Sequence, residues 1–525
     1  MKNLLRTFKP SSIIQIICLL IFIGFTYLPL IINGGIIVDD WGDISHNLNC
    51  LNFLHCYQTW FPLFSNRPLA PLPIVSATLL FETHFSWYLI LNSGIYLAAI
   101  FLTARVLNKL IGLQPSLVFC YFAAIPFIAM PILASPINQL TATVSILCWA
   151  VSLEFILQST QSNRAINCLI STLFLLLGFL TYEIILPLLT LTALLPYVVD
   201  KKIFFRRPLT YFLIYTAPII IVLLITYIWQ KELAPHFMDV DSRLKLNITQ
   251  AIPKLHTWLQ VFYKQIPSLF IKSFHYLTPF QLITGAILAI GILYKGQSQN
   301  EFPEKKLQFR FFIVSLLTFL STSLIFILSN ESATSWGYQA RGLSSTWYAL
   351  SILLACLISL STPYKWCITG LVILFGIFSS ISFSIQRDNY ITSWELQNKI
   401  LSDVINKIHF SSVENNSVII GNVPKFTAHN FNDEIVFSQP WDFGAALSIF
   451  TKNKISDGAV IDARSNDLRH INISPGFVSI DNWWKASYFK LWFYDYDPSN
   501  HQGSLVRIND AKELKDILES FVKQK

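Results

Sequence analysis

Long apolar segments constrain this chain more than any other feature of its sequence. Hydrophobic residues make up 53% of its 525 residues, and charged residues make up only 13%. Soluble domains usually carry about 25% charged residues. An α-helix needs about 20 apolar residues to cross a bilayer, and the segments approach that length again and again along the chain. The sequence therefore predicts a polytopic α-helical membrane protein with about 11 spans.

Basic residues predict how these spans are oriented. Lys2, Arg6 and Lys9 precede the first span, and the positive-inside bias places such a start in the cytoplasm. An odd number of spans then leaves the N-terminus cytoplasmic and the C-terminus extracytoplasmic. The predicted spans are residues 12–32, 86–104, 115–134, 138–158, 165–182, 184–199, 209–229, 278–294, 311–328, 343–362 and 366–385.

The last part of the chain has a different composition. Residues 386–525 hold 17 acidic and 15 basic side chains, whereas residues 1–385 hold 13 acidic and 23 basic ones. Residues 418–423 have the apolar run of a buried strand, and Leu514, Ile517 and Leu518 recur at helical spacing. We therefore predict a transmembrane domain over 1–385 and a small extracytoplasmic α/β domain over 386–525.

Charge and motif content exclude several function classes. The basic excess lies in the membrane part, where it is typical of cytoplasmic loops and not of a nucleic-acid surface. The sequence contains no GxxxxGK[ST], HExxH or CxxC pattern, which argues against ATP-driven transport and against a common type of zinc hydrolase. Cys50 and Cys56 lie in the first predicted external loop, where an oxidising compartment would permit a disulfide.

The stretch Val38-Asp39-Asp40-Trp41-Gly42-Asp43 is the main candidate for chemistry. It holds three of the 13 acidic residues of the first 385 positions, just after the first span. Adjacent carboxylates repel each other and cost solvation near a bilayer, so such a cluster indicates function. A solvated loop at the end of a helix explains the same pattern without any chemistry.

Further candidates lie on the same predicted external side. They are Arg67 in Asn-Arg-Pro-Leu, the pair Tyr182-Glu183, and Arg341 in a short external loop. A carboxylate can take a proton from an attacking hydroxyl. An arginine can hold a phosphate by two parallel hydrogen bonds and stabilise its charge. Plain interfacial anchoring or helix-terminus roles explain these residues equally simply.

With Asp-Asp-Trp-Gly at 39–42 and Asn-Arg-Pro-Leu at 66–69, the chain resembles the C-type glycosyltransferase superfamily of integral membrane enzymes. Its many spans and long external loop after span 1 are also similar, and bacterial O-antigen glucosyltransferases are the nearest type. The resemblance implies transfer of a sugar from a polyprenyl-phosphate donor to a glycan or lipid acceptor at the outer face of a bacterial inner membrane.

The resemblance also implies roles for particular residues. Asp39 or Asp40 would activate the acceptor hydroxyl or hold a divalent metal, Mg²⁺ or Mn²⁺, if the enzyme uses one. Arg67 would contact the donor phosphate. The other candidates for substrate or phosphate binding are Asp43, Tyr182, Glu183 and Arg341.

Two alternative functions remain open at this point. A flippase or transporter of a lipid-linked glycan would place ionisable groups in mid-membrane, and Glu154 and Glu183 are the candidates. An O-antigen polymerase or ligase would use related chemistry on a different acceptor.

Overall fold

A computed structural model supports the predicted fold class. It describes residues 10–234, 248–293, 305–328, 332–360, 364–427, 431, 433–463, 471–481 and 484–523. Within these ranges, eight helices are long and apolar enough to cross a membrane, and four further apolar helices are shorter. A small mixed α/β region follows them. Lys2, Arg6 and Lys9, which carry the predicted orientation, lie outside the described residues.

The first half of the chain is helical. Its helices are α1 (Pro10–Asn33), α2 (Asp39–Leu48), α3 (Phe53–Trp60), α4 (Pro71–Phe81), α5 (Phe85–Ile111), α6 (Leu113–Ala123), α7 (Pro131–Ala134), α8 (Leu140–Ser159), α9 (Arg164–Thr181), α10 (Leu189–Val199), α11 (Lys201–Arg206), α12 (Pro208–Tyr211) and α13 (Ala217–Ile228). A 3₁₀ helix spans Glu183–Leu188, and π-helical turns span Phe212–Thr216 and Trp229–Leu233.

The second half completes the helical bundle and adds the strands. Its helices are α14 (Ile248–Gln260), α15 (Ile266–Ser273), α16 (Pro279–Leu293), α17 (Lys305–Ser321), α18 (Ser323–Leu328), α19 (Ser344–Ser359), α20 (Lys365–Phe410), α21 (Pro440–Thr451) and α22 (Ala511–Lys523). A π-helical turn at Val261–Gln265 and 3₁₀ helices at Phe274–Tyr276 and Tyr338–Leu343 connect some of them. The strands are β1 (Ser417–Asn422), β2 (Ile455–Ile461), β3 (Ile471–Ser474), β4 (Phe477–Ile480), β5 (Trp484–Ser487), β6 (Leu491–Asp497) and β7 (Gln502–Ile508).

Prolines explain where single segments differ from the predicted spans. The segment 115–134 is broken into α6 and α7. Pro126 lies in the connection between them, and Pro131 is the first residue of α7. Proline lacks an N–H and clashes with the preceding turn, so it ends or kinks a helix. In the segment 184–199, Pro187 lies in the 3₁₀ helix that precedes α10. Hydropathy alone counts these interrupted segments as full spans.

Helix α20 connects the bundle to the C-terminal part without a break. It runs for 46 residues, from Lys365 to Phe410. The predicted division after residue 385 falls within this helix, so the span and the helical stretch expected around Trp394 form one element. The division of the chain into two domains stays a prediction.

The C-terminal part contains two sheets. In the larger sheet the strand order is β2-β1-β6-β7, with β1 parallel to both of its neighbours and β7 antiparallel to β6. The smaller sheet is antiparallel, in the order β3-β4-β5. Apolar side chains of β1, β6 and α21 share one hydrophobic cluster with Trp41 and Ile44 of α2 and Ile74 of α4. This shared core fixes the C-terminal part against α2.

The bundle has two chemically different ends. One end carries α2. Helix α5 begins at this end, at Phe85, whose ring lies 5.4 Å from that of Trp41. Basic residues of the short connections lie at the opposite end, where Lys109 Nζ is 2.6 Å from Glu154 and Arg310 donates to the Tyr197 carbonyl. These residues are Arg105, Lys109, Arg164, Lys201, Lys202, Arg206, Arg207, Lys305, Lys306, Arg310 and Lys365.

A buried arginine compensates for a proline inside the first span. Pro29 lies within α1 and has no N–H for the Phe25 carbonyl four residues earlier. Arg387 of α20 is 1% exposed, and its Nη1 donates to that carbonyl at 2.9 Å and to the Thr26 carbonyl at 3.3 Å. An unpaired carbonyl in the membrane costs free energy, so this contact stabilises α1 against α20.

We therefore expect Arg387→Met to destabilise the protein. Leaving the Phe25 carbonyl unpaired should cost about 1–3 kcal/mol, measured as a lower thermal midpoint in detergent. Pro29→Ala supplies a new N–H to the same carbonyl. The double variant Pro29→Ala/Arg387→Met should therefore recover part of the loss. A double variant no more stable than Arg387→Met would contradict this account.

Candidate active site

Helix α2 begins in a strained turn that its own acidic residues stabilise. Val38 precedes the helix with φ 47°, a conformation that is costly for a β-branched residue. Asp39 and Asp40 occupy the first turn, where the helix dipole favours negative charge. Asp40 Oδ2 accepts a hydrogen bond from the Ile37 N–H at 3.3 Å. The acidic pair therefore helps to define where this helix starts.

Asp40 anchors α2 to the segment between α7 and α8. Its Oδ1 accepts hydrogen bonds from Ser135 Oγ at 2.9 Å, the Asn138 N–H at 2.8 Å and the Ile137 N–H at 3.3 Å. The side chain is fully buried and does not line the cavity described next. Burial raises the pKa of Asp40 to about 7, although these hydrogen bonds lower it. The structure thus places Asp40 behind the site, and its predicted catalytic role stays a prediction.

A cavity of about 370 Å³ opens beside α2. It brings together residues that are up to about 400 positions apart in the chain. Five of the predicted site residues line it: Asp39, Asp43, Arg67, Tyr182 and Arg341. The other lining residues are Gly42, His46, Trp60, Phe64, Asn138, Thr141 and Trp441.

Asp39 presents its carboxylate to this cavity and is held by three side chains. Its Oδ2 accepts a hydrogen bond from Tyr338 Oη at 2.8 Å and lies 3.5 Å from Arg341 Nη1. Its Oδ1 accepts a hydrogen bond from Trp441 Nε1 at 3.3 Å. The side chain remains 29% exposed. Asp39 is therefore the carboxylate of the Asp39-Asp40 pair that a substrate can reach.

Arg67 forms a second ion pair in the wall of the cavity. Its Nε and Nη2 donate to the two carboxylate oxygens of Glu183, with Nε 2.6 Å from Oε2. The guanidinium carbon also lies 4.1 Å from the centre of the Tyr182 ring. Burial lowers the pKa of Arg67, but the Glu183 carboxylate raises it, and the net shift is upward. Glu183 thus orients Arg67, and two of the five guanidinium N–H groups are used in doing so.

Asp43 is a buried carboxyl group in the cavity wall. It is 4% exposed, and within the part of the chain that the structure describes its Oδ2 has no hydrogen-bond partner. Burial raises the pKa of Asp43 well above its usual value, and the nearby Asp39 and Asp40 carboxylates raise it further. Asp43 therefore binds a proton more readily than an exposed carboxyl group does, at a position that lines the cavity.

Aromatic residues of the segment between α1 and α4 form another wall. The His46 ring lies 4.5 Å from the Trp60 ring, which lies 5.4 Å from that of Phe64. A disulfide joins Cys50 and Cys56, with Cα atoms 5.3 Å apart, and ties the turn between α2 and α3. The sequence-based suggestion of this disulfide is therefore supported by the structure.

The acidic pair does not present two free carboxylates to a metal ion. Both oxygens of Asp40 accept hydrogen bonds from backbone or serine donors, and both oxygens of Asp39 accept bonds from side chains. Among the described residues, no group of three or more His, Cys, Asp or Glu side chains is placed to hold a metal. The residues thus do not fit a Mg²⁺ or Mn²⁺ site built on this pair, and metal dependence stays a prediction.

Sequence reasoning missed several residues of the cavity. Tyr338 lies in a stretch already noted around Arg341, but its bond to Asp39 follows from the fold alone. Trp441 belongs to the C-terminal part, and no local pattern connects it with Asp39. Asn138 and Thr141 line the cavity because α8 begins beside α2. The roles of all predicted site residues stay predictions, although the structure brings most of them to one cavity.

Comparisons with known proteins found two similar solved structures. ArnT from Cupriavidus metallidurans bound to undecaprenyl phosphate is 12% identical, with a TM-score of 0.39 and coverage of 93% of both chains. The apo state of the same protein is 14% identical, with a TM-score of 0.38, and covers 95% of this chain and 98% of that one. No protein-family model and no curated protein matches the chain. Because both TM-scores are below 0.5, neither structure establishes the fold or activity of this chain.

The different surroundings of Asp39 and Asp40 predict different effects of substitution. Asp40→Ala leaves the Ile137 and Asn138 N–H groups buried and unpaired, which should cost about 2–3 kcal/mol and lower the thermal midpoint. Asp39→Asn changes a partly exposed group, so its midpoint should stay within about 2 °C of the wild type. Equal losses in both variants would contradict the anchoring role of Asp40.

Stability should also depend on pH through buried carboxyl groups. Burial raises the pKa of Asp40 and of Asp442, at the start of α21, to about 7 each. The folded state therefore holds protons that the unfolded state releases from about pH 4 upward, so stability falls as pH rises toward 7 and levels off above it. We expect the thermal midpoint to fall by several degrees between pH 5.5 and 8. Asp40→Asn and Asp442→Asn should each flatten that slope, and an unchanged slope in both would refute the assignment.

Proposed function

We propose that the protein is a membrane glycosyltransferase that takes a sugar from a polyprenyl-phosphate donor. The observation that carries the proposal is the cavity in which Asp39, Arg67 and Arg341 meet at one end of a membrane bundle. The cavity offers a reachable carboxylate beside two guanidinium groups, which is what transfer from a phosphate leaving group needs. The acceptor is a glycan or lipid of the cell envelope, and O-antigen is the expected type.

Asp39 acts as the general base in this reaction. The acceptor hydroxyl oxygen attacks the anomeric carbon as its proton passes to the Asp39 carboxylate. A new C–O bond forms to the acceptor, and the bond between the anomeric carbon and the phosphate oxygen breaks with its electron pair on that oxygen. Polyprenyl phosphate leaves with one more negative charge than the donor phosphodiester carried, and the anomeric configuration inverts.

The two arginines stabilise the phosphate as that charge develops. Arg67 is fixed by Glu183 and Tyr182 and keeps further N–H donors for a ligand. Asp43 lines the same cavity, and the upward shift of its pKa favours the protonated form, which can donate a hydrogen bond to the phosphate. The cavity lining is chemically consistent with the predicted roles of Asp43, Arg67, Tyr182 and Arg341 in substrate or phosphate binding. Glu183, the fifth predicted residue, acts through its ion pair with Arg67.

Arg341 links donor binding to the availability of the Asp39 carboxylate. It lies 3.5 Å from Asp39, which is a loose contact, and 4.3 Å from the centre of the Tyr338 ring. A donor phosphate competes with Asp39 for this guanidinium. When Arg341 turns toward the phosphate, it releases the Asp39 carboxylate for the acceptor hydroxyl.

The same arrangement supports an extracytoplasmic site. The basic residues of the short connections lie at the end of the bundle opposite the cavity, and the positive-inside bias favours the cytoplasm for that end. The cavity and the C-terminal part then face outward across a bacterial inner membrane. The N-terminus, before the first span, is cytoplasmic in this orientation.

The ion pairs argue against the transporter hypothesis. Glu154 pairs with Lys109 at one end of the bundle, and Glu183 pairs with Arg67 at the other. Neither carboxylate offers a mid-membrane relay for coupling ions. Polymerase or ligase activity shares the chemistry of Asp39, so only the acceptor distinguishes it from branch-sugar transfer.

The test is transfer by the purified protein in liposomes. The donors are undecaprenyl-phosphate-linked glucose, galactose and mannose carrying radiolabel, and the acceptor is envelope glycan from a host that lacks the gene. We expect the wild type to transfer one of these sugars and Asp39→Asn to be at least about 100-fold slower, because a general base contributes about that much. Arg341→Lys should raise the donor KM, since lysine lacks the guanidinium fork.

Asp433→Asn is the matched control for this experiment. Asp433 is an exposed acid of the C-terminal part and lies away from the cavity lining, so its substitution should leave transfer unchanged. Equal rates for wild type and Asp39→Asn would remove Asp39 from the mechanism. Mass analysis of envelope glycans then identifies the acceptor: a missing side-branch sugar indicates a glucosyltransferase type, and a change in chain length indicates a polymerase or ligase.

A further inference from the structure

Trp441 is a C-terminal residue that lies in the cavity of the membrane part. Its Nε1 donates to Asp39, and its Cδ1 lies against Gly42, 3.7 Å from where a Cβ would be. In spite of these contacts the side chain remains 47% exposed. One edge of the indole is thus fixed next to the reactive carboxylate while much of the ring stays open to a ligand.

The position of Trp441 is set by a rigid helix start. Pro440 occupies the first turn of α21, and Gln439 and Asp442 form a reciprocal capping box around it. The Asp442 Oδ2 accepts the Ser438 and Gln439 N–H groups at 2.8 and 3.0 Å. This capping fixes the backbone that carries the indole.

Helix α21 is also held from both sides. Gly444 allows it to lie directly on β2, because a Cβ there would be 2.4 Å from the Gly458 nitrogen. On its other face the Phe450 ring lies 5.9 Å from that of Trp41 in α2, and Asn453 Nδ2 donates to Asn49 Oδ1 at 3.1 Å. The backbone that carries Trp441 is therefore held in a fixed position relative to α2. A contact surface that is preorganised in this way loses less conformational entropy when a ligand binds.

We propose that Trp441 forms the acceptor subsite and stacks against a sugar ring of the acceptor glycan. One face of a pyranose ring carries C–H groups that pack well on an indole, while its hydroxyls suit the polar groups of this cavity. The proposal rests on the glycosyltransferase function proposed above and specifies which substrate this residue binds.

The geometry assigns the acceptor, and not the donor, to Trp441. A polyprenyl donor is anchored in the membrane, and the arginines that suit its phosphate belong to the membrane part, in the loop before α4 and the turn before α19. Trp441 comes from the C-terminal part, and its Nε1 reaches Asp39 in the same cavity. An acceptor hydroxyl on a ring stacked there lies next to Asp39, the residue that takes its proton.

The first test separates acceptor binding from catalysis. In the liposome assay, Trp441→Ala should raise the acceptor KM by about tenfold and leave the donor KM within about twofold, because only acceptor stacking is lost. Trp441→Phe keeps an aromatic face and loses the N–H to Asp39, so its acceptor KM should stay within about threefold of the wild type. Trp336→Ala removes a comparably exposed tryptophan outside the cavity and should change neither constant.

An unchanged acceptor KM in Trp441→Ala would overturn the proposal, even if kcat falls. A fall in kcat alone would mean that Trp441 acts through the position of Asp39. An equal rise in both KM values would also overturn it, because the ring would then not discriminate between the substrates.

The second test does not require turnover, so it separates this proposal from the proposed function. The probe is polysaccharide released from the envelope of a host that lacks the gene, and its equilibrium binding is measured to Asp39→Asn protein with and without Trp441→Ala. Binding at least about fivefold weaker in the double variant supports the subsite. Equal binding overturns it, whereas absent transfer by the wild type overturns only the glycosyltransferase function.

Discussion

The hydrogen bonds of the Asp40 carboxylate are the interaction on which the site depends. They join the start of α2 to the backbone just before α8, two segments about 95 residues apart in the chain. Because these donors are buried, each would cost free energy without a partner. A single carboxylate therefore determines where α2 begins, and the helix start in turn points Asp39 toward the cavity. The structure thus separates the paired acids into Asp40, which holds the backbone, and Asp39, which lines the cavity.

Charge around the cavity is arranged in two similar units. In each unit a guanidinium is paired with a carboxylate and lies over a tyrosine ring: Arg67 with Glu183 and Tyr182, and Arg341 with Asp39 and Tyr338. The first pair is close and bidentate, whereas the second is longer and includes a partly exposed acid. A buried ion pair that loses one partner is strongly destabilised, so the first unit suits a fixed role. The ion pair of the second unit can open at little cost, which suits a carboxylate that takes up a proton in the proposed reaction.

The sequence predicted the helical membrane part well because length and hydropathy decide it directly. It also singled out most of the charged residues that line the cavity, since acids and arginines are rare enough here for each one to stand out, and their roles stay predictions. It did not predict the break after α6, because hydropathy counts apolar residues and is insensitive to Pro126. It did not separate Asp39 from Asp40, because the donors that bury Asp40 come from a distant segment. Trp441 was missed because no local pattern distinguishes it from the other 13 tryptophans.

The continuous helix α20 explains why a residue of the C-terminal part can line the same cavity as residues of the membrane part. A flexible linker after the last span would let that part sample many positions, and a fixed contact at Asp39 would then cost ordering entropy. The 46-residue helix removes that freedom, and the Trp394 ring on it lies 5.8 Å from Trp41 of α2. The hydrophobic cluster shared by Trp41, Val404 and Phe443 then covers both parts at once. The position of Trp441 above Asp39 is thus a consequence of how the two parts are joined, since neither part alone would bring the indole to the carboxylate.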